Sequence, residues 1–242
     1  MLNKWRKYSY AAQKSQRHQI RRVLIWLGSF FIVYTIITSL FFSVVVLENE
    51  AMLPGLSSGD RFIFSSYAVY RMFPGKTGVN RDPPFRRGNI VLVDKSLTSG
   101  RGFFITALDR VVRFFTIQQV SLAGREEHLF IKRAIGLPGD EVSMTKFVLR
   151  VKPAGGSYEL TEFELSERPY DIAIPQVPAL WDESIPFSGN MDPIILRDNE
   201  CFLLSDDRSN TNDSRTWGPV TMDLIVGKAL FRFWPFTRVG GP

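Results

Sequence analysis

Lys132 has the clearest capacity for chemistry in this chain. It closes an apolar run, Leu129-Phe130-Ile131, and precedes Arg133 and the turn-forming Gly136-Leu137-Pro138-Gly139-Asp140. A lysine at the end of a buried strand loses hydration. Desolvation is what lowers a lysine pKa by the several units a general base needs near neutral pH. A second concentration of chemistry runs from Ser205 to Arg215: Ser-Asp-Asp-Arg-Ser-Asn-Thr-Asn-Asp-Ser-Arg, followed by Thr216-Trp217-Gly218-Pro219. Short polar side chains at this density form local hydrogen-bonded turns. Two further blocks stand ahead of these, residues 50–60 (Glu-Ala-Met-Leu-Pro-Gly-Leu-Ser-Ser-Gly-Asp) and residues 87–93 (Arg-Gly-Asn-Ile-Val-Leu-Val).

In this order, behind an apolar amino-terminal segment, the four blocks resemble the type I signal peptidases, membrane-bound serine endopeptidases that use a Ser-Lys dyad. The resemblance spans roughly residues 20–236. Its most specific parts are Lys-Arg-x-x-Gly-x-Pro-Gly-Asp, from Lys132, and Asp-x-Arg-x-Asn-x-x-Asp-Ser-Arg, from Asp206. The resemblance implies that Lys132 is the general base and that the Thr211 hydroxyl orients its amine. It also implies an ion cluster of Asp213 and Arg215 with Arg133. Met52, Pro54, Asp206, Arg208 and Ser214 fall at supporting positions of the same motifs.

One departure decides the chemistry. The family's first block reads Ser-Met-x-Pro-Thr and its serine is the nucleophile; this chain has Ala51-Met52-Leu53-Pro54-Gly55. Alanine carries no atom that can attack a carbonyl, so the acyl-enzyme route is closed at Ala51. Only the modest acceleration from binding and oxyanion stabilisation is then left. Ser57 and Ser58 come six and seven residues too late to substitute without refolding the loop. Smaller departures are Gly55 for Thr, Asn89 for Asp, Ser205 for Gly and Asp207 for Asn. Asn49 stands where some relatives place an oxyanion-hole serine, and its amide could donate there. Two explanations fit Ala51, an engineered trap of an active enzyme or a natural paralogue that has lost catalysis. The accompanying loss of the neighbouring Thr favours the paralogue.

The elements that must position these residues follow from pattern. Residues 61–64, 89–94, 141–151, 158–165 and 199–204 are short, rich in β-branched or aromatic residues and bounded by breakers, which predicts strands of a mainly β body. Residues 74–84 read as a loop, and residues 169–193, with prolines at 169, 175, 178, 186 and 193, as a long irregular excursion. Residues 103–115 and the closing Phe231-Arg232-Phe233-Trp234-Pro235-Phe236 are oddly apolar. They read either as a core helix and a terminal strand, or as a surface dipping into a bilayer.

Residues 23–47 contain no charge over 25 positions, enough for a helix to cross a hydrocarbon core of roughly 30 Å. The run ends in Val44-Val45-Val46-Leu47-Glu48 with no small-x-small site, which separates it from a cleaved signal. Of the 30 Lys and Arg residues, seven precede residue 23 and no acid precedes Glu48, leaving 23 basic against 24 acidic residues in the rest. A basic head on a neutral body is a cytoplasmic flank, not a nucleic-acid surface. The single cysteine, Cys201, excludes a disulfide and a cysteine-cluster zinc site, and two histidines, His18 and His128, leave no histidine-rich metal site.

The expected organisation is a basic cytoplasmic segment (1–22), a transmembrane helix (23–47) and an extracytoplasmic β domain (48–242) with a β insertion around 141–199. The fold implied by the resemblance is the signal-peptidase-type β fold, at the bacterial cytoplasmic membrane, single-pass with its amino terminus inside. No cofactor is implied. The implied partners are signal peptides of exported preproteins, cut after a small-x-small motif when a nucleophile is present, and the lipid bilayer. As an accessory protein, the chain would instead pair with an active peptidase or the secretion machinery. A third reading, the self-cleaving Ser-Lys regulators of the DNA-damage response, is disfavoured by the anchor and by the lack of a helix-turn-helix ahead of the dyad.

Overall fold

A computed structural model describes residues 10–67, 83–95, 129–176 and 189–241. The chain enters through helix α1 (Tyr10–Phe41) and passes directly into strand β1 (Phe42–Val46). The predicted helix over 23–47 therefore stops at Phe41. Phe42-Ser43-Val44-Val45-Val46 has the β-branched content of a strand and finds a partner, pairing antiparallel with β2 (Arg61–Ser66) from Phe42 opposite Ser65 to Val46 opposite Arg61. Among the residues whose side chains are described, no helix is long and apolar enough to cross a membrane. In α1 these are residues 16–34, which include Arg17, Arg21 and Arg22.

Among the described residues, the main sheet has seven strands: β1, β2, β3 (Ile90–Asp94), β4 (Leu129–Gly136), β9 (Glu200–Leu204), β10 (Val220–Thr221) and β11 (Ile225–Trp234). Their spatial order is β1-β2-β11-β3-β4-β9-β10, with antiparallel neighbours throughout. A second sheet, inserted between β4 and β9, has the order β7-β6-β5-β8. It comprises β5 (Glu141–Thr145), β6 (Val148–Lys152), β7 (Leu160–Thr161) and β8 (Met191–Ile195). The single strand predicted over 141–151 is thus a hairpin. Lys146 and Phe147, at φ 50° and 67°, make the two-residue turn with both central residues left-handed.

The strand predicted over 158–165 is also corrected. After two residues of β7 the chain forms a short helix, α2 (Glu162–Leu165), under a capping box. The Thr161 hydroxyl accepts from Glu164 N, and the Glu164 carboxylate accepts from Thr161 N at 2.7 Å. That reciprocal satisfaction of end donors outweighs the alternating pattern. The last helix, α3 (Ser214–Trp217), follows β9.

Among the described residues, buried apolar side chains form three clusters. One, with Val45, Leu47, Met52, Leu56, Phe62, Phe64, Ile90 and Ile131, lies beneath the loop that carries Ala51. A second gathers Val91, Val93, Ala134, Cys201, Leu203 and Ile225. The third joins the two sheets, packing Ile135, Phe202 and Leu204 against Val142, Leu149, Val151 and Leu196. The closing run is a strand but not a core one, since Phe231, Trp234 and Phe236 are exposed, Phe236 by 76%. Residues 103–115, and residues 74–82 of the predicted loop, lie outside the described residues.

Candidate active site

β4 carries the central residue. Lys132 lies opposite Val91 of β3 and is 1% exposed. Its Nζ donates to Ser205 Oγ at 2.7 Å and stands 5.7 Å from the centre of the Trp217 ring. Burial is the main cause that lowers this amine to a pKa of about 8; Asp213 and Asp206 pull it up, and Arg215 and Lys95 push it down. At neutral pH roughly one amine in ten is then free to accept a proton.

The polar block from Ser205 to Arg215 wraps this amine. Asp213 caps α3 and accepts from Ser205 N at 3.0 Å, and from Arg215 N, Nε and Nη2 at 3.1, 3.0 and 2.8 Å. Burial opposes its ionisation most strongly. The Arg215 bond and charge and the two backbone N–H groups outweigh it and hold the carboxyl below its usual range. Ser214 Oγ accepts from Leu203 N at 3.0 Å, tying the block back to β9. Thr211 stands elsewhere than the resemblance implied. Its carbonyl accepts from Asp213 N at 2.8 Å and Thr216 Oγ1 at 2.5 Å, and its hydroxyl makes no hydrogen bond to Lys132. Ser205 holds the amine instead; the available signal was a hydroxyl where glycine is usual.

Arg133 is a second correction. It pairs with Asp206, through Nε at 2.7 Å and Nη2 at 2.5 Å, and not with Asp213 and Arg215. Successive strand residues face opposite sides of a sheet, so Lys132 and Arg133 serve different networks. Arg133 Nη1 also donates to Gly88 O at 2.7 Å, and its guanidinium lies 3.9 Å from the centre of the Tyr170 ring. Beyond it, Glu162 of α2 accepts from Arg208 Nη2 at 2.5 Å, Tyr170 Oη at 2.6 Å and Leu149 N at 3.0 Å. Burial and the adjacent Glu162 push the Tyr170 hydroxyl up, so it stays a donor. Glu162 and Tyr170 were invisible in the sequence because they lie in the insertion and belong to no motif.

Ala51, 1% exposed, is held by its backbone: its carbonyl accepts from Asp207 N at 3.1 Å, and its N–H donates to Asn49 Oδ1 at 3.2 Å. The stretch Ser205–Asp207 therefore touches both Lys132 and Ala51. The Asn49 amide presents its acceptor to Ala51, leaving its NH2 as the end able to donate. Met52 is fully buried in the core, whereas Pro54 is exposed. Downstream, the Asp60 carboxylate accepts from Ser57 N, Arg232 Nη1 and Arg238 Nη2 at 3.1, 3.1 and 3.2 Å. Ser57 Oγ accepts from Arg238 at 3.1 Å, and Ser58 Oγ donates to Glu48 O at 3.3 Å. Both hydroxyls are committed away from Lys132.

Arg87 and Asp140 explain two of the motif blocks. They form an ion pair, and Asp140 also accepts from Leu137 N at 2.7 Å and Ala154 N at 3.1 Å, fastening the turn after β4. A cleft reaches Asn49, two residues before Ala51, and is lined by Val45, Val46, Leu47, Glu48, Asn49, Leu129, Phe130 and Ile131. β1 ends the sheet, and the first half of β4 pairs only with β3, since its register with β9 begins at Arg133. Among the described residues, two strand edges therefore face this cleft without a neighbouring strand, each offering backbone donors and acceptors to an extended chain.

Comparison with known proteins agrees with this geometry. The chain is 29% identical to signal peptidase I of Leptolyngbya laminosa over 194 residues, covering 80% of this chain and 70% of that protein. It is 30% identical to signal peptidase I of Bacillus caldolyticus over 180 residues, 73% of this chain and 83% of the relative. A probable signal peptidase I-2 of Synechocystis sp. is 36% identical over 111 residues, 46% of this chain and 41% of that protein. The family described as signal peptidase, peptidase S26, matches residues 20–234. With its buried Lys132, the polar block around it and this match over most of its length, the chain belongs to the signal peptidase family, S26.

Proposed function

We propose that this protein is a membrane-anchored member of its family that receives the signal-peptide end of exported preproteins in the cleft that reaches Asn49 and, as written, does not cut it. The observation that carries this is the combination of an intact buried base at Lys132 with a side chain at residue 51 that has no nucleophilic atom. The two unpartnered strand edges support strand addition by the peptide, with small residues needed where the chain passes closest to the loop. The Asn49 contact to Ala51 N–H favours holding over cutting, because it occupies a backbone donor next to the reaction centre.

The anchor follows from α1. Residues 23–41 are uncharged, and at about 1.5 Å per residue they reach about 28 Å, close to the hydrocarbon thickness of roughly 30 Å. Val23, Leu24, Ile25, Trp26, Leu27, Phe30, Ile32 and Val33 are each more than half exposed, so among the described residues these apolar side chains are left uncovered. The basic residues before it hold that end in the cytoplasm. Because β1 starts at Phe42, the cleft opens beside the membrane, and exposed Trp234 and Phe236 suit its interface.

Binding tests the receiving role. A fluorescent peptide with an Ala-x-Ala end should bind the full chain in detergent, and aspartate at both alanine positions should weaken binding by at least about tenfold, since buried unpaired charge is costly. Equal affinity for the two peptides would refute the proposed cleft.

A pH profile tests the base. In an Ala51→Ser variant, kcat/KM should rise about tenfold per pH unit below 8 and level off above it, because only the neutral amine accepts the serine proton and burial sets its pKa to about 8. A profile flat from pH 6 to about 9 would exclude Lys132 as the base.

A further inference from the structure

We propose that Ser205 is the positioning residue that holds the Lys132 amine in place, the part the family resemblance assigns to Thr211. The inference rests on reading residues 51 and 132 as a peptidase-type site. Ser205 follows β9 directly, where Leu204 is in register with Arg133 of β4, so its hydroxyl is carried by the strand beside the lysine. It is fully buried, its N–H is fixed by Asp213 Oδ2, and its Oγ takes the hydrogen bond from Nζ at 2.7 Å. Thr211 lies in the turn ahead of α3, held there by hydrogen bonds to its carbonyl. A glycine at 205 would leave the amine without this partner, so the hydroxyl has moved from one end of the polar block to the other.

The geometry also argues against Ser205 as a displaced nucleophile. Its own N–H, the natural oxyanion donor, is bonded to a carboxylate. Its contribution is to restrict the rotamers of a four-carbon side chain, holding the amine at one place beside the end of β9.

The test follows the amine itself, in full-length chain labelled with 15N-lysine in detergent micelles, with the Lys132 signal assigned from a Lys132→Met variant. Ser205→Ala removes the acceptor of the ammonium form, so the Lys132 midpoint should fall by about half to one pH unit. Thr211→Val should move it by less. In the Ala51→Ser background, Ser205→Ala should lower kcat at least about tenfold with KM changed by less than about twofold, the pattern of a misplaced base. A midpoint that responds to Thr211→Val but not to Ser205→Ala would overturn the assignment. So would acylation of Ser205 by a reactive ester. If Ala51→Ser cuts nothing, the peptidase reading fails, while the lysine titration still decides the role of Ser205.

Discussion

Ala51→Ser should convert this chain from one with no detectable cleavage into a peptidase at least about 10³-fold faster than the parent, with the gain abolished by Lys132→Ala. The new hydroxyl would sit on a loop whose backbone is fixed from both sides, by the core beneath Met52 and by Asp207 N on the Ala51 carbonyl. Its oxygen attacks the scissile carbonyl, its proton passes to the neutral Lys132 amine, and the ammonium then protonates the departing amine nitrogen as the C–N bond breaks. Water, deprotonated by the same lysine, hydrolyses the acyl-enzyme. The measurement is cleavage of a purified preprotein with a small-x-small site in liposomes, for the parent, Ala51→Ser, and Ala51→Ser with Lys132→Ala. Detectable turnover by the parent would contradict the assignment of Ala51 as the missing nucleophile. Failure of Ala51→Ser would point to the Asn49 amide, whose oxygen must leave the residue 51 N–H before an oxyanion can use it.

Glu162→Ala should lower stability by about 3–5 kcal/mol, the range for breaking a buried ion pair from one side. The Glu162 and Arg208 side chains are both 0% exposed, and Arg208 Nε and Nη1 already lack hydrogen-bond partners among the described residues. Removing the carboxylate leaves a buried guanidinium without its counter-charge and the Tyr170 hydroxyl without its acceptor. Because Arg208 belongs to the same block as Ser205 and Asp206, and Tyr170 stacks on Arg133, the loss should loosen the block of residues 205–215 from the inserted sheet. The double variant Glu162→Leu with Arg208→Met should recover most of the loss, since apolar replacement of both partners removes the desolvation cost as well. Urea unfolding of the full chain in detergent reads both. A single-variant change under about 1 kcal/mol would show that the pair is solvated in the folded protein.

Much of the site is legible in the sequence because its residues sit in short blocks whose chemistry is local. Lys132 after an apolar run and ahead of a Gly-x-Pro-Gly-Asp turn foretells a desolvated amine, though the structure sets it within β4 and not at a strand end, and Ala51 carries no nucleophilic atom. The β character of residues 61–64, 89–94 and 199–204 is equally local, since β-branched residues bounded by breakers favour the extended chain wherever they pair. Pattern failed where a partner or a cap decided the outcome. Residues 42–46 left the apolar helix because β2 offered them a ladder, and residues 162–165 coiled because Thr161 and Glu164 satisfy each other's backbone groups.

By itself the sequence determined a lysine set for desolvation, an alanine without a nucleophilic atom at residue 51, the basic flank and the mainly β fold, all properties of residue type and short spacing. Only the tertiary structure decided which hydroxyl meets the lysine, which acid meets Arg133, that Glu162 and Tyr170 support the block from the inserted sheet, and where the cleft lies between β1 and β4. Lys132 with Ser205 and Arg133 with Asp206 are each 73 positions apart, brought together by the pairing of β4 with β9. Their pairing is set by sheet register and by the face each side chain occupies, and neither is encoded within any one segment.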